Sequence, residues 1–172
     1  MTDPQRPREF FLRPGEYLVG NADDRIRTLL GSCVSITLWH PRRRIGAMSH
    51  FLLPTRGNKH AHELDGRYGD EALALMLQAL ERRSVPPTEC QAKIFGGGNM
   101  FPRHCRVEGG NVGQKNGESA RRLLRSLSIP IVSESLFGVG HRQVIFEANS
   151  GEVWARQVKP LENQLPDSSV AA

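Results

Sequence analysis

Cys33-Val34-Ser35-Ile36-Thr37-Leu38-Trp39, His40-Pro41-Arg42-Arg43, Arg44-Ile45-Gly46-Ala47-Met48-Ser49-His50: two apolar, β-branched runs flank a turn-prone proline and arginines. Such a pattern predicts an antiparallel hairpin. With His40–Arg43 as the loop, Trp39 stands opposite Arg44, Ile36 opposite Ala47, Val34 opposite Ser49 and Cys33 opposite His50. Directly opposed residues share a sheet face, with Cβ atoms about 4.5–5.5 Å apart. Val34, Ile36, Leu38, Ile45 and Ala47 then form one apolar face, the natural core. Cys33, Ser35, Thr37, Trp39, Arg44, Gly46, Met48 and His50 form the other, more mixed face, which the core does not need.

A thiol facing an imidazole can serve as a nucleophile with its base, and it can equally be a small buried hydrophobe beside a satisfied histidine. A free thiol titrates near ~8.5, and a neighbouring imidazolium lowers that value. Attack by the sulfur on an acyl carbon forms a thioester, and the histidine protonates the leaving group. Backbone amides around Gly31-Ser32-Cys33, where glycine permits a tight turn, are candidate donors to the resulting oxyanion.

The rest of the chain reads as one domain. It has 172 residues, 38% hydrophobic and 24% charged, in the globular range. The opening residues lack the apolar core of a signal peptide, and no run reaches transmembrane length, so a cytoplasmic location is expected. Three cysteines (Cys33, Cys90 and Cys105) without a secretory signal argue against a disulfide framework. Residues 1–13 read as a flexible tail, 14–160 as the domain, and 161–172 as a second tail. Inside the domain, strands are expected at 16–19, 33–39, 44–53, 92–95, 129–133, 143–148 and 152–158, with 25–30 leading into the Cys33 run. The last two are joined at Asn149-Ser150-Gly151. A helix is expected from Asp70 to Arg83, with Leu73, Met76, Leu77 and Leu80 on one stripe. A second is expected over 117–127, after a glycine-rich loop at 109–117. Neighbouring strands without crossover helices favour an α+β, largely antiparallel or mixed sheet over a doubly wound one.

Other chemistries have weaker signals. His60, His62, His104, Cys105 and Cys90 are metal-ligand types, but no CxxC or HExxH spacing is present. Phe95-Gly96-Gly97-Gly98-Asn99-Met100 lacks the Gly-Lys-Ser/Thr ending of a phosphate loop and reads as a tight backbone turn against a neighbouring element. The net charge of +5 favours acidic partners. The arginines are scattered, however, and there is no aromatic platform, which argues against nucleic acid. Arg121, Arg122 and Arg125 make a basic helix face.

Several blocks together resemble the chemoreceptor glutamine deamidase family, CheD. They are Thr28-Leu29-Leu30-Gly31-Ser32-Cys33-Val34, Gly46-Ala47-Met48-Ser49-His50-Phe51-Leu52-Leu53-Pro54, Tyr68 with the helix after it, Lys93 to Met100, and Val112-Gly113-Gln114-Lys115-Asn116. The likeness runs in order over residues 14–160. It implies a layered α/β sandwich similar to bacterial deamidating toxins. It also implies hydrolysis of glutamine side chains of methyl-accepting chemotaxis receptors to glutamate, without metal or organic cofactor. The family's nucleophile maps onto Cys33, its histidine onto His50 and its threonine onto Thr28, which would orient His50. Some members also bind the chemotaxis phosphatase CheC. Leu136-Phe137-Gly138-Val139-Gly140-His141-Arg142 keeps only part of the family's glycine pattern. The alternative is a non-catalytic module that docks on receptors or on CheC. The Cys33/His50 pair favours the enzyme, because an adaptor needs neither residue.

Overall fold

A computed structural model describes residues 6–57, 63–101 and 111–159. Among them are nine strands and two helices. The strands are β1 (Arg8–Phe11), β2 (Tyr17–Gly20), β3 (Asp24–Leu30), β4 (Val34–His40), β5 (Ile45–Ser49), β6 (Gln91–Gly96), β7 (Ile131–Leu136), β8 (His141–Glu147) and β9 (Val153–Val158). The helices are α1 (Gly69–Glu81) and α2 (Val112–Ser126). One sheet has the order β1-β3-β8-β9 and the other β2-β5-β4-β6-β7. The β1–β3 and β6–β7 pairs are parallel and the other pairs antiparallel. This is the α+β layered architecture that the strand pattern predicts.

Alternation along β4 explains the layers. Val34, Ile36 and Leu38 point one way and join Ala47, Ile94, the α1 residues Leu73, Met76 and Leu80, and Leu124 of α2 in one core. The opposite face, with Phe95 and Met48, packs on Ile26, Leu30, Val144 and Phe146 of the other sheet, and Trp39 and Cys33 border that core. The five-stranded sheet therefore lies between the helices and the four-stranded sheet. Its second face is a core face as well, not the free face expected from the hairpin. A strand buried on both sides needs no polar side, and the small polar Ser35 and Thr37 are buried there with the apolar residues.

The hairpin register differs from the expected one by two residues. Leu38 pairs with Ala47, Trp39 with Gly46 and His40 with Ile45, and Val34 with Phe51 beyond the ladder. The turn is Pro41–Arg44. The His40 carbonyl accepts from Arg44 N–H at 2.9 Å, and its Nδ1 accepts from Arg43 N–H at 3.1 Å. Arg44 takes the left-handed φ of 48° that closes the turn. His40 thus acts as the last strand residue and as the turn's cap. Because side chains alternate with period 2, the shift moves Cys33 out of direct opposition to His50 but leaves both on the same face.

Two further expectations change. Residues 8–12 are not a tail: Arg8–Phe11 pairs in register with Asp24–Arg27, and Leu12 is buried. The second helix starts at Val112, not near 117, with Asn111 as its cap accepting from Gln114 N–H at 2.8 Å. Gly113 and Gly117 lie inside it because its first turns press on other backbone and on an aromatic ring. An added Cβ at Gly113 would sit 2.6 Å from Gly97, and one at Gly117 would sit 2.6 Å from the Phe137 ring. Residues 161–172, and with them the expected C-terminal tail, lie outside the described residues.

Gly46 is where the two sheets approach. A Cβ there would fall 2.4 Å from Cζ of Phe146, in the other sheet. Gly46→Ala should therefore destabilise the fold by about 1–3 kcal/mol through overpacking, seen as a lower urea midpoint. Phe146→Leu in the same chain should recover part of the loss. An unchanged midpoint in the single variant would contradict this packing.

Candidate active site

Cys33 lies in the short connection between β3 and β4, and the backbone there is held from outside. The carbonyl of Gly31 accepts from Gly98 N–H and that of Cys33 from Gly97 N–H, both at 2.9 Å. Between them, the Ser32 carbonyl accepts from the Asn116 side chain at 3.0 Å. The Gly96-Gly97-Gly98 segment can approach this closely because it lacks side chains. Gly96 and Gly97 have φ of 113° and 66°, and a Cβ on Gly96 would lie 2.2 Å from the Cys33 carbonyl oxygen. The glycine run is thus a backbone turn against a neighbouring element. The N–H groups of Ser32 and Cys33 have no acceptor from another residue among the described residues.

His50 follows β5, and its backbone is held on both sides. Its N–H donates to the Glu16 carbonyl at 3.1 Å and its carbonyl accepts from Gly15 N–H at 2.7 Å. The imidazole is buried and reaches the other sheet, where its Nδ1 lies 2.8 Å from Thr28 Oγ1. Thr28 Oγ1 is also 2.8 Å from the Leu12 carbonyl, which can only accept. A hydroxyl has one proton to give. Donated to Leu12, it leaves the Thr28 oxygen as an acceptor for His50 Nδ1–H. The tautomer is then set, with Nε2 carrying the free lone pair, and Nε2 has no partner among the described residues. Leu12 supplies this carbonyl because β1 exists, so the segment expected to be a tail contributes to the site.

Burial sets the protonation states. It lowers the His50 pKa to about 4, against smaller upward effects of the Leu12 carbonyl and the Glu16 charge. Burial also raises the Cys33 thiol, while the residue's own backbone N–H pulls it down. Both directions favour a neutral thiol and a neutral imidazole at rest, not the ion pair expected from a flanking imidazolium. Cys33 Sγ makes no hydrogen bond to another described residue, and the thiol is free.

The structure therefore brings Thr28 to His50 by a direct hydrogen bond, and Cys33 to the same sheet face, beside Gly31 and Ser32. Asn116 closes the block Val112-Gly113-Gln114-Lys115-Asn116, and its residue type and spacing alone assign it no chemical role. Its signal was a polar side chain on the buried stripe Gly113, Asn116, Ala120 and Leu124 of α2. Cys90 is remote in role: it is buried, its sulfur faces the Pro86 carbonyl at 3.7 Å, and burial pushes its thiol up to about 11. Among the described residues no group of three or more His, Cys, Asp or Glu is placed to hold a metal ion. His60, His62, His104 and Cys105 lie outside them. No helix among the described residues is long and apolar enough to cross a membrane.

Residues 52–157 match the family described as CheD, chemotactic sensory transduction. The chain belongs to the CheD family. It is 60% identical over 168 residues to an Albidiferax ferrireducens protein named "Probable chemoreceptor glutamine deamidase CheD 2", with 97% of each chain covered. A Pseudomonas syringae pv. syringae relative named "Probable chemoreceptor glutamine deamidase CheD" is 41% identical over 98% of this chain and 94% of its own. A Dechloromonas aromatica relative, "Probable chemoreceptor glutamine deamidase CheD 3", is 44% identical with 88% of each chain covered. Among solved structures, the Bacillus licheniformis hypothetical protein YfiH is similar at a TM-score of 0.41 and 14% identity. That match covers 81% of this chain and 61% of the other.

The His50 environment predicts a pH dependence of stability. The folded state holds this imidazole near pKa 4, against ~6.5 in the unfolded chain. Between those values the unfolded chain binds more protons, so stability rises with pH there. The contribution is complete above about pH 6.5 and is lost as pH falls toward 4. Denaturant unfolding from pH 7.5 to 4 should show this slope in the native chain and a shallower one in His50→Gln. Equal slopes would place the imidazole in water.

Proposed function

We propose that this protein deamidates glutamine side chains of chemotaxis receptors by way of a Cys33 thioester. The observation that carries the reading is the hydrogen-bond chain from the Leu12 carbonyl through Thr28 to His50 Nδ1, which leaves Nε2 as a free base. It occurs in a chain whose relatives are named chemoreceptor glutamine deamidases.

In this reading His50 Nε2 takes the Cys33 proton as sulfur bonds to the carboxamide carbon. Starting from neutral partners, the proton moves during attack, so no preformed thiolate is needed. The oxygen of the tetrahedral intermediate takes the negative charge and lies against the N–H groups of Ser32 and Cys33. The C–N bond then breaks, and the imidazolium gives its proton to the leaving nitrogen, which departs as ammonia. Water, deprotonated by His50, attacks the thioester carbon. The C–S bond breaks, Cys33 regains its proton and the side chain leaves as glutamate. The imidazolium that forms twice in this cycle is held by Thr28, whose oxygen accepts from Nδ1–H while its own O–H donates to the Leu12 carbonyl. Each glutamine converted adds a negative charge to the receptor. A cytoplasmic location belongs to this reading, and so does CheC as a second partner, which a pull-down with the purified phosphatase tests.

Co-expression with a receptor and mass spectrometry of its peptides checks the reaction. The native chain should raise selected glutamine peptides by about one mass unit. Cys33→Ala should abolish the change, and His50→Gln should slow it by about 10²–10⁴-fold. Thr28→Val, which removes the acceptor of Nδ1–H, should slow it less. Conversion by Cys33→Ala at the native rate would overturn the mechanism. Binding of the receptor without conversion by the native chain would favour a docking module.

A further inference from the structure

Asn116 is wholly buried in the second turn of α2, where an asparagine is a poor helix former. Its two amide protons go to two carbonyls in different segments: Ser32 at 3.0 Å and Leu52 at 2.8 Å. Both partners are acceptors only, so the nitrogen must point toward them. The amide oxygen is buried with no partner among the described residues. A buried acceptor without a partner is costly. The side chain is therefore a poor choice as core filler, and its effect lies in the two carbonyls it joins.

Those carbonyls flank the proposed reacting pair. Ser32 immediately precedes Cys33, and Leu52 follows His50 by two residues. Peptide planarity adds a second consequence. The Ser32 carbonyl and the Cys33 N–H belong to one rigid plane and point in opposite directions. Fixing the oxygen on Asn116 therefore fixes where the Cys33 N–H points. The neighbouring carbonyls of Gly31 and Cys33 are held by backbone N–H groups of Gly98 and Gly97. Ser32 alone of the three is held by a side chain.

We infer that Asn116 is a positioning residue, which aims the Cys33 N–H at the oxyanion and fastens the cysteine turn and the histidine segment to α2 through one amide. This inference rests on the deamidase reading above. It does not place Asn116 in contact with the substrate.

The test compares native protein and Asn116→Ala in two assays. In the first, ammonia release from the receptor substrate should show kcat reduced about 10–100-fold with KM within about twofold, because the lost interaction matters only when the oxyanion forms. In the second, Cys33 alkylation by iodoacetamide, read by mass spectrometry at that residue, should show a midpoint moved to higher pH. This follows from turning away the N–H that steadies the thiolate, and the assay needs no substrate. A folded Asn116→Ala with native kcat, KM and alkylation midpoint overturns the inference, as does a raised KM with unchanged kcat. If the variant does not fold, the native chain still decides. Its Asn116 side-chain amide resonances should move with the Cys33 ionisation midpoint, and resonances that stay fixed overturn the inference. Retained activity in Cys33→Ala would instead defeat the deamidase reading, and the alkylation comparison would still judge Asn116.

Discussion

Three consecutive carbonyls, those of Gly31, Ser32 and Cys33, each receive a hydrogen bond from outside their own segment, and the arrangement of the molecule follows from that clamp. The donors are Gly98, Asn116 and Gly97, from the end of β6 and from α2. The clamp sets where β4 begins, and β4 pairs with both β5 and β6 in the five-stranded sheet. It also orients the peptide planes, so that the N–H groups of Ser32 and Cys33 point away from the donors. A side chain on Gly96 would collide with the Cys33 carbonyl, and one on Gly113 would collide with Gly97. Glycine at these positions is what lets the turn, the cysteine segment and the helix meet backbone to backbone.

The second constraint is electrostatic. His50 extends from one sheet and Thr28 from the other, so their hydrogen bond spans the interior of the sandwich. Removing an imidazole from water disfavours its charged form. The same burial that keeps His50 neutral makes it available as a base at neutral pH. A single hydroxyl proton, committed to the Leu12 carbonyl, decides which imidazole nitrogen is free. The thiol is shifted in the opposite sense by the same cause. In the proposed mechanism a neutral pair stores no separated charge, so charge appears only when sulfur attacks. Donors already in place at the oxyanion then need no reorganisation.

Periodicity made the layers legible in the sequence, and the local turn chemistry was less legible. The alternation in residues 34–38 and 45–49 assigned each side chain to its correct face, because period 2 survives a shift of the loop. The register did not survive, since His40 next to Pro41 reads as a turn residue. In the structure its ring and carbonyl close the turn from the last strand position. β1 was hidden because Arg8-Glu9-Phe10-Phe11 has no alternation and gains its order from pairing with a distant strand. The start of α2 was hidden because Gly113 and Gly117 read as loop residues, although both serve close helix contacts. Local propensity cannot report a contact made across the fold. The pairing of Thr28 with His50 was legible through the family's blocks, whereas the Leu12 carbonyl could not be, since any residue has one.

Arg142 shows how far the support of this site extends. It is buried on β8, its register partner is Leu30 at the end of β3, and no carboxylate pairs with it among the described residues. Its guanidinium instead donates to the carbonyls of Gly96 and Phe137 and to the Ser135 hydroxyl. Burial pulls its pKa down, a sign that the charge is poorly solvated there. A buried cation held by dipoles is costly unless its donors are well placed, and here three partners are grouped on the β6–β7 side of the site. The Gly96 carbonyl also accepts from Phe137 N–H at 2.9 Å. The four-stranded sheet therefore holds Gly96, next to the Gly97 donor of the Cys33 carbonyl, through Arg142, and the imidazole through Thr28. The five-stranded sheet and α2 supply the rest. Relative movement of the two sheets would break both grips together, so the geometry of the site depends on the whole sandwich staying closed.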